Sequence, residues 1–265
     1  MRFSKWHALG NSYLLVERAD AGRPLDPELA SRLCDPRYGI GSDGVLEVVG
    51  LDGTRAEIVI WNPDGSVAEF SGNGSRIAAA WLARRADAAR VTVDVAGRSY
   101  AAGLWDDGTV AMDVGDVEVG EIETLELDGE RVELTAVSVG NPHAVVRGEA
   151  DRKALLRLGP RLETHARFPE RTNVQLVRVD GLNELTVLVW ERGAGETSAS
   201  GSSAVAAAAA AVTNGWCESP VTVHMPGGDL RVELDPENRI TLIGPAEEIC
   251  EGELRLHTAA ARPAT

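Results

Sequence analysis

At 265 residues the chain can form one large domain or two of about 130, and either size buries a core. Its hydrophobic fraction of 44% and charged fraction of 25% are those of a soluble globular protein. A net charge of −15, with Lys5 and Lys153 as the sole lysines, argues against a nucleic-acid partner, whose phosphates demand clustered Lys and Arg. No run of about 18 apolar residues could span a bilayer, and Met1–Trp6 lacks the apolar core of a signal peptide. The expectation is a cytoplasmic protein without membrane contact. Cys34, Cys217 and Cys250 are isolated from one another, without metal-ligand or CxxC spacing, so free thiols and no metal site are expected.

In chain order, residues 2–8 read as a strand that turns at Gly10-Asn11 and returns through Tyr13–Val16, a hairpin. Pro27–Leu33 reads as a helix, and the turn-rich Gly39–Gly44 leads into a strand at Val45–Val49. Residues 57–61 form another strand, closed by Asn62-Pro63-Asp64-Gly65, with Pro second and Gly fourth in the turn. Ser71 caps a helix to Arg85 whose Ile77, Ala78, Trp81 and Leu82 share one face. Strands at 91–95, 98–104 and 109–114 follow. The second half repeats the order: a strand at 132–139, a turn at Gly140–His143, strands at 144–146, 172–177 and 184–189, and a helix from Ser200 to Asn214-Gly215. A further helix is expected near Ala154–Leu158.

The repetition is specific. Displaced by about 130 residues, Glu57–Asn62 falls on Thr186–Glu191, Ser71-Gly72 on Ser200-Gly201, and Gly10-Asn11 on Gly140-Asn141. A twofold duplication implies two similar lobes related by a pseudo-dyad. The expected division is 1–118, with 250–257 added to that lobe, then 119–249, leaving 258–265 as a disordered tail.

The first N–H groups of a helix lack internal partners and carry the positive end of its dipole. Gly72-Asn73 and Gly201-Ser202 are small enough to admit a ligand to that backbone. Two such helix starts facing each other would bind one carboxylate and stabilise charge that develops on it. Ser71 and Ser200 would then flank the ligand from opposite faces, as a two-base racemase requires. A single Ser-Gly start is ordinarily just a cap. Two at matched offsets shift the balance toward a shared site.

Taken together, several segments resemble the diaminopimelate epimerase family. They are Phe3–Asn11, Cys34–Leu46, Asn62–Ser66, Glu69–Arg76, Gly140–His143, Arg171–Val174 and Glu191–Thr197. The resemblance implies an α/β (α+β) fold of two pseudo-symmetric lobes, each a barrel-like, mainly antiparallel sheet around a central helix. It implies a cofactor-independent amino-acid epimerase without a metal, interconverting LL- and meso-diaminopimelate, with a homodimer as the expected assembly. Carried over by position, Asn11, Asn62, Asn141, Asn173, Glu191 and Arg192 would hold the diamino dicarboxylate, with Arg192 gripping the carboxylate at the non-reacting end. The backbone of Gly72, Asn73, Gly201 and Ser202 would hold the reacting end. Ser71, Ser200, His143 and Glu191 would form the catalytic group.

One departure bears on mechanism. The family resemblance places cysteine where this chain has Ser71 and Ser200, and a hydroxyl acts as a base only beside a group that takes its proton. Ser75 and Ile77 also depart from the common pattern, which weighs against a simple engineered pair of exchanges, and Ser12 departs from it in the loop beside the site. The alternatives left open are serine hydroxyls relaying protons to Glu69, Glu191, Glu196 or His143; a related isomerase or dehydratase for another small amino or carboxylic acid; and a non-catalytic amino-acid binder.

Overall fold

In a computed structural model, residues 1–105, 107–237 and 239–255 are described; the expected tail, 258–265, lies outside them. The first half contains β1 (Arg2–Ala8), β2 (Asn11–Glu17), α1 (Arg18–Ala21), α2 (Pro27–Cys34), β3 (Val45–Asp52), β4 (Arg55–Trp61), β5 (Val67–Ala68), α3 (Gly72–Ala86), β6 (Arg90–Val95), β7 (Arg98–Leu104) and β8 (Thr109–Asp116). The second contains β9 (Glu118–Leu127), β10 (Glu130–Ser138), β11 (Pro142–Arg147), α4 (Arg152–Glu163), β12 (Asn173–Gly181), β13 (Glu184–Glu191), β14 (Gly195–Thr197), α5 (Gly201–Thr213), β15 (Val221–Met225), β16 (Gly228–Leu234), β17 (Arg239–Pro245) and β18 (Glu247–Glu253).

Leu9 and Gly10 both take positive φ, 55° and 82°, the backbone a tight hairpin turn needs between β1 and β2. Parallel neighbours require a crossover. Helix α2 carries the chain from β2 to its parallel partner β3, and α3 carries it from β4 to β6. The second half repeats both crossovers, α4 between β11 and β12 and α5 between β13 and β15.

The strands form one ladder. From β18 it passes through β1, β2, β3, β4, β6, β7 and β8, crosses to β17, and returns through β16, β15, β13, β12, β11 and β10 to β9. Two strands pair away from the strand that precedes them. Strand β9 follows β8 in sequence but pairs with β10, and β18 pairs with β1 at the opposite end of the chain. The expected division at 118/119 falls at the start of β9.

The sheet curls around α3 in one half and α5 in the other. Helix α3 packs on β1, β2, β4, β6, β7 and β8, and α5 on β9 to β13 and β15 to β17. A helix wrapped in strands has no solvent face, so it must be apolar around its whole circumference. Helix α5 is buried from Ser203 to Ala211, almost entirely through alanines that let the strands approach closely. In α3, Ile77 and Leu82 are fully buried, worth roughly 1.5–3 kcal/mol each relative to exposure.

Helix α2 covers the outer face of the first half. This explains the uninterrupted apolar run in β2. Leu14 and Val16 face outward with Leu29 and Leu33 of α2, whereas Tyr13 and Leu15 face inward with the core around α3. The alternation aims the Tyr13 ring at the start of α3.

Candidate active site at the two helix starts

The starts of α3 and α5 meet. A Cβ added to Gly72 would lie 2.9 Å from the Gly201 Cα, and one added to Gly201 would lie 2.9 Å from the Gly72 Cα. Glycine is required on both sides of this contact. Ser71 and Ser200, the residues just before, have nearly the same extended backbone, φ −142°, ψ 116° and φ −144°, ψ 122°. Both line a cleft of about 730 Å³, within the range of small-molecule sites.

Asn11, Asn62, Gly72, Asn73, Asn141, Asn173, Glu191, Arg192, Gly201 and Ser202 line the same cleft. Several are held in place by one another. The Asn73 amide donates to Asn11 Oδ1 at 3.2 Å. Asn173 Oδ1 accepts the Arg192 backbone N–H at 3.0 Å while its amide donates to the Pro142 carbonyl at 3.1 Å. Asn62 donates to Ser66 Oγ at 2.9 Å, inside the turn that follows β4. The Arg192 guanidinium is exposed and donates to the Glu170 carbonyl at 3.2 Å, which leaves most of its fork available to a ligand.

The serines differ in their partners. Ser71 Oγ accepts the Gly74 N–H at 3.0 Å, a helix cap, and lies 3.0 Å from the Tyr13 hydroxyl. Burial pushes the Tyr13 phenol up to about 12; the Ser71 hydrogen bond opposes this, and the charges of Glu191 and Asp43 add to it. Ser200 makes no cap bond with its side chain. Burial raises the Glu191 carboxyl above the usual carboxylate range, Ser200 counters the rise by hydrogen bonding to it, and Asp43 contributes to the rise. A raised carboxyl beside a hydroxyl free of its own helix is chemically able to accept that hydroxyl's proton.

His143 lies elsewhere. It is fully buried, is absent from the cleft lining, and bonds through Nε2 to Asn141 Oδ1 at 2.9 Å and through Nδ1 to Gln175 Nε2 at 3.0 Å. An amide nitrogen can only donate, so Nδ1 accepts and the ring proton on Nε2 goes to Asn141. Burial, aided by the Arg192 charge and opposed by Gln175, pushes the ring down to about 3, so it is neutral near pH 7. His143 orients Asn141; it is not within reach of a ligand. The other carboxylates weighed as proton acceptors also line the cleft, and neither has a hydrogen bond to Ser71 or Ser200 among the described residues. Glu196 is engaged by Arg152, its Oε1 2.7 Å from Nε, and Glu69 is exposed on the cleft rim. Ser12, beside the first hairpin turn, ties its amide and hydroxyl to Asp43, at 2.7 and 3.0 Å.

Tyr13 was missed in the sequence. The apolar run of β2 carries no signal for it, since both faces of the strand are buried; only the folded strand turns residue 13 toward the helix that Ser71 caps.

The sequence profile of the diaminopimelate epimerase family matches residues 3–120 and 135–249. The chain belongs to the diaminopimelate epimerase family. It is 36% identical to the diaminopimelate epimerase of Stutzerimonas stutzeri, over 97% of this chain and 99% of that one. It is 39% identical to that of Pelotomaculum thermopropionicum, over 97% and 100%. In three dimensions it resembles a structure described as a proline racemase of Agrobacterium radiobacter K84, at a TM-score of 0.74 and 14% identity, covering 98% of this chain and 94% of that one. That likeness carries the fold. Among the described residues, no helix is long and apolar enough to cross a membrane.

Proposed function

We propose that the protein epimerises diaminopimelate, LL to meso, by removing the α-proton from one face and returning one to the other. One observation carries the reading: two serine hydroxyls at abutting helix starts in one cleft each have a different titratable partner. The reacting-end carboxylate sits on the N–H groups that open α3 and α5, where developing enediolate charge is stabilised. Arg192 holds the far carboxylate, as its planar fork suits.

Ser200 Oγ takes the α-proton as its own proton passes to the Glu191 carboxylate, so no free alkoxide forms. The electron pair left on Cα delocalises into the adjacent carboxylate. Ser71 then gives its proton to the opposite face of Cα, and the Tyr13 phenol proton follows onto Ser71 Oγ. Solvent later reprotonates Tyr13 and deprotonates Glu191, restoring the start. Abstraction on the Glu191 side is the more costly half, because a carboxylate is a far weaker base than the carbanion it leaves; return of a proton from the Tyr13 side, with its phenol near 12, runs downhill.

Incubation with LL-diaminopimelate in deuterium oxide, followed by proton NMR, tests the reading. Loss of the α-proton with inversion is expected, and binding without exchange would contradict it. Because a thiol ionises far more readily than a hydroxyl, Ser71→Cys combined with Ser200→Cys is expected to raise the exchange rate.

A further inference from the structure

Arg76, in the second turn of α3, is fully buried. Its terminal nitrogens donate to the Gly72 carbonyl at 3.1 Å and to Asn73 Oδ1 at 2.8 Å, and its Nε has no partner. No carboxylate faces it among the described residues: burial alone shifts its guanidinium, down to about 10, and no acidic group offsets the shift. It therefore remains cationic at neutral pH.

The other buried charges are treated differently. Glu47 is met by Arg18, the Leu25 N–H and the Trp61 indole. Glu163 is met by Trp190, the Gly193 N–H and Arg171. A buried charge without a counter-charge is expensive. This one also folds back toward the N-terminal end of its own helix, where the dipole repels a cation. Nothing about this placement favours the empty protein.

Its position relative to the cleft is specific. A Cβ on Gly201 would lie 3.1 Å from an Arg76 terminal nitrogen, so the guanidinium sits directly behind the contact between Gly72 and Gly201. Through Asn73 it also reaches Asn11 on the cleft wall. The cleft needs such a cation. Its lining carries Asp43, Asp64, Glu69, Glu191 and Glu196 against Arg192 alone, which is a poor environment for a ligand carboxylate.

We propose that Arg76 is the buried counter-charge for the reacting-end carboxylate: a positioning residue that acts through the Gly72, Asn73 and Gly201 segments and is neutralised only when the ligand is present. The proposal rests on the reading above that the ligand is a carboxylate. It makes Arg76 costly in the empty state and favourable in the complex, most of all when proton removal adds a second charge to the carboxylate.

The test compares Arg76→Met and Arg76→Lys with the parent protein by calorimetry and thermal unfolding. The two probes are LL-diaminopimelate and its analogue with a carboxamide at the reacting end. In Arg76→Met, affinity for the dicarboxylate is expected to fall about tenfold or more, affinity for the carboxamide to stay the same, and the ligand-free melting temperature to hold or rise. Arg76→Lys should keep most of the preference for the carboxylate. Equal losses for both probes with a lower ligand-free melting temperature would make Arg76 a scaffold residue and overturn the proposal, as would an unchanged dicarboxylate affinity. If the parent binds no diaminopimelate, the substrate reading fails on its own account. The ligand-free melting temperature still decides the matter for Arg76, and a fall in Arg76→Met overturns the inference.

Discussion

At the start of α3, Ser71 caps its helix and touches the Tyr13 hydroxyl; at the start of α5, Ser200 leaves its helix uncapped and lies beside Glu191. The backbones are nearly superposable, yet each partner comes from a different place in its half, Tyr13 from β2 and Glu191 from the end of β13. Matching Gly10-Asn11 to Gly140-Asn141 sets Tyr13 opposite His143, and matching Trp61 to Trp190 sets Asn62 opposite Glu191. In neither half does the counterpart do the same work. His143 is buried and neutral, and Asn62 is an amide held in a turn. The repeat places a hydroxyl at each helix start, and residues at two non-equivalent positions set a phenol beside one and a carboxyl beside the other.

The largest effects should come from the partners. Glu191→Gln keeps the shape and removes the proton acceptor, so α-proton exchange at saturating ligand should fall by about 10²–10⁴-fold, beyond any loss of affinity. The parent's exchange rate should rise with pH as Glu191 deprotonates, with an acid limb above the ordinary carboxylate range, and Glu191→Gln should lose that limb. Tyr13→Phe removes one hydroxyl from the other side; a loss of about 10²-fold is expected, at the lower end of the same range. An equal, small effect of both variants would erase the distinction between the halves.

Next in size is the glycine contact. Gly201→Ala would drive a methyl to 2.9 Å from the Gly72 Cα, which backbone on both sides must absorb. A destabilisation of about 1–3 kcal/mol in denaturant unfolding is expected, together with loss of exchange. Smaller still is the difference between the caps. Ser71→Ala should cost about 0.5–2 kcal/mol, the usual worth of a cap bond, whereas Ser200→Ala should cost less, because no cap bond is lost. Equal costs would mean that Ser200 does cap α5 in solution.

Much of this arrangement was legible in the sequence because it is local. The paired Trp-strand, Ser-Gly and Ala-rich segments announced both central helices, and Gly72 and Gly201 marked helix starts open to a ligand. The expected division already set 250–257 with the first half, but the register in which β18 meets β1, with Arg2 opposite Glu253, leaves no trace in neighbouring residues. Tyr13 was hidden for a related reason. Both faces of β2 are buried, so its apolar run gives no hint of which residue points inward. The resemblance made His143 an acid/base candidate, and its partner Gln175 lies 32 residues away in β12. Burial and Gln175 were invisible until that strand was paired.

The division of labour between the serines is tested most directly by deuterium wash-in from each epimer separately, using Ser71→Ala and Ser200→Ala. If the two hydroxyls serve opposite faces, each variant retains exchange, without inversion, from one epimer, and the two variants retain it from different ones. Both variants exchanging the same epimer, or neither distinguishing the two, would contradict the account.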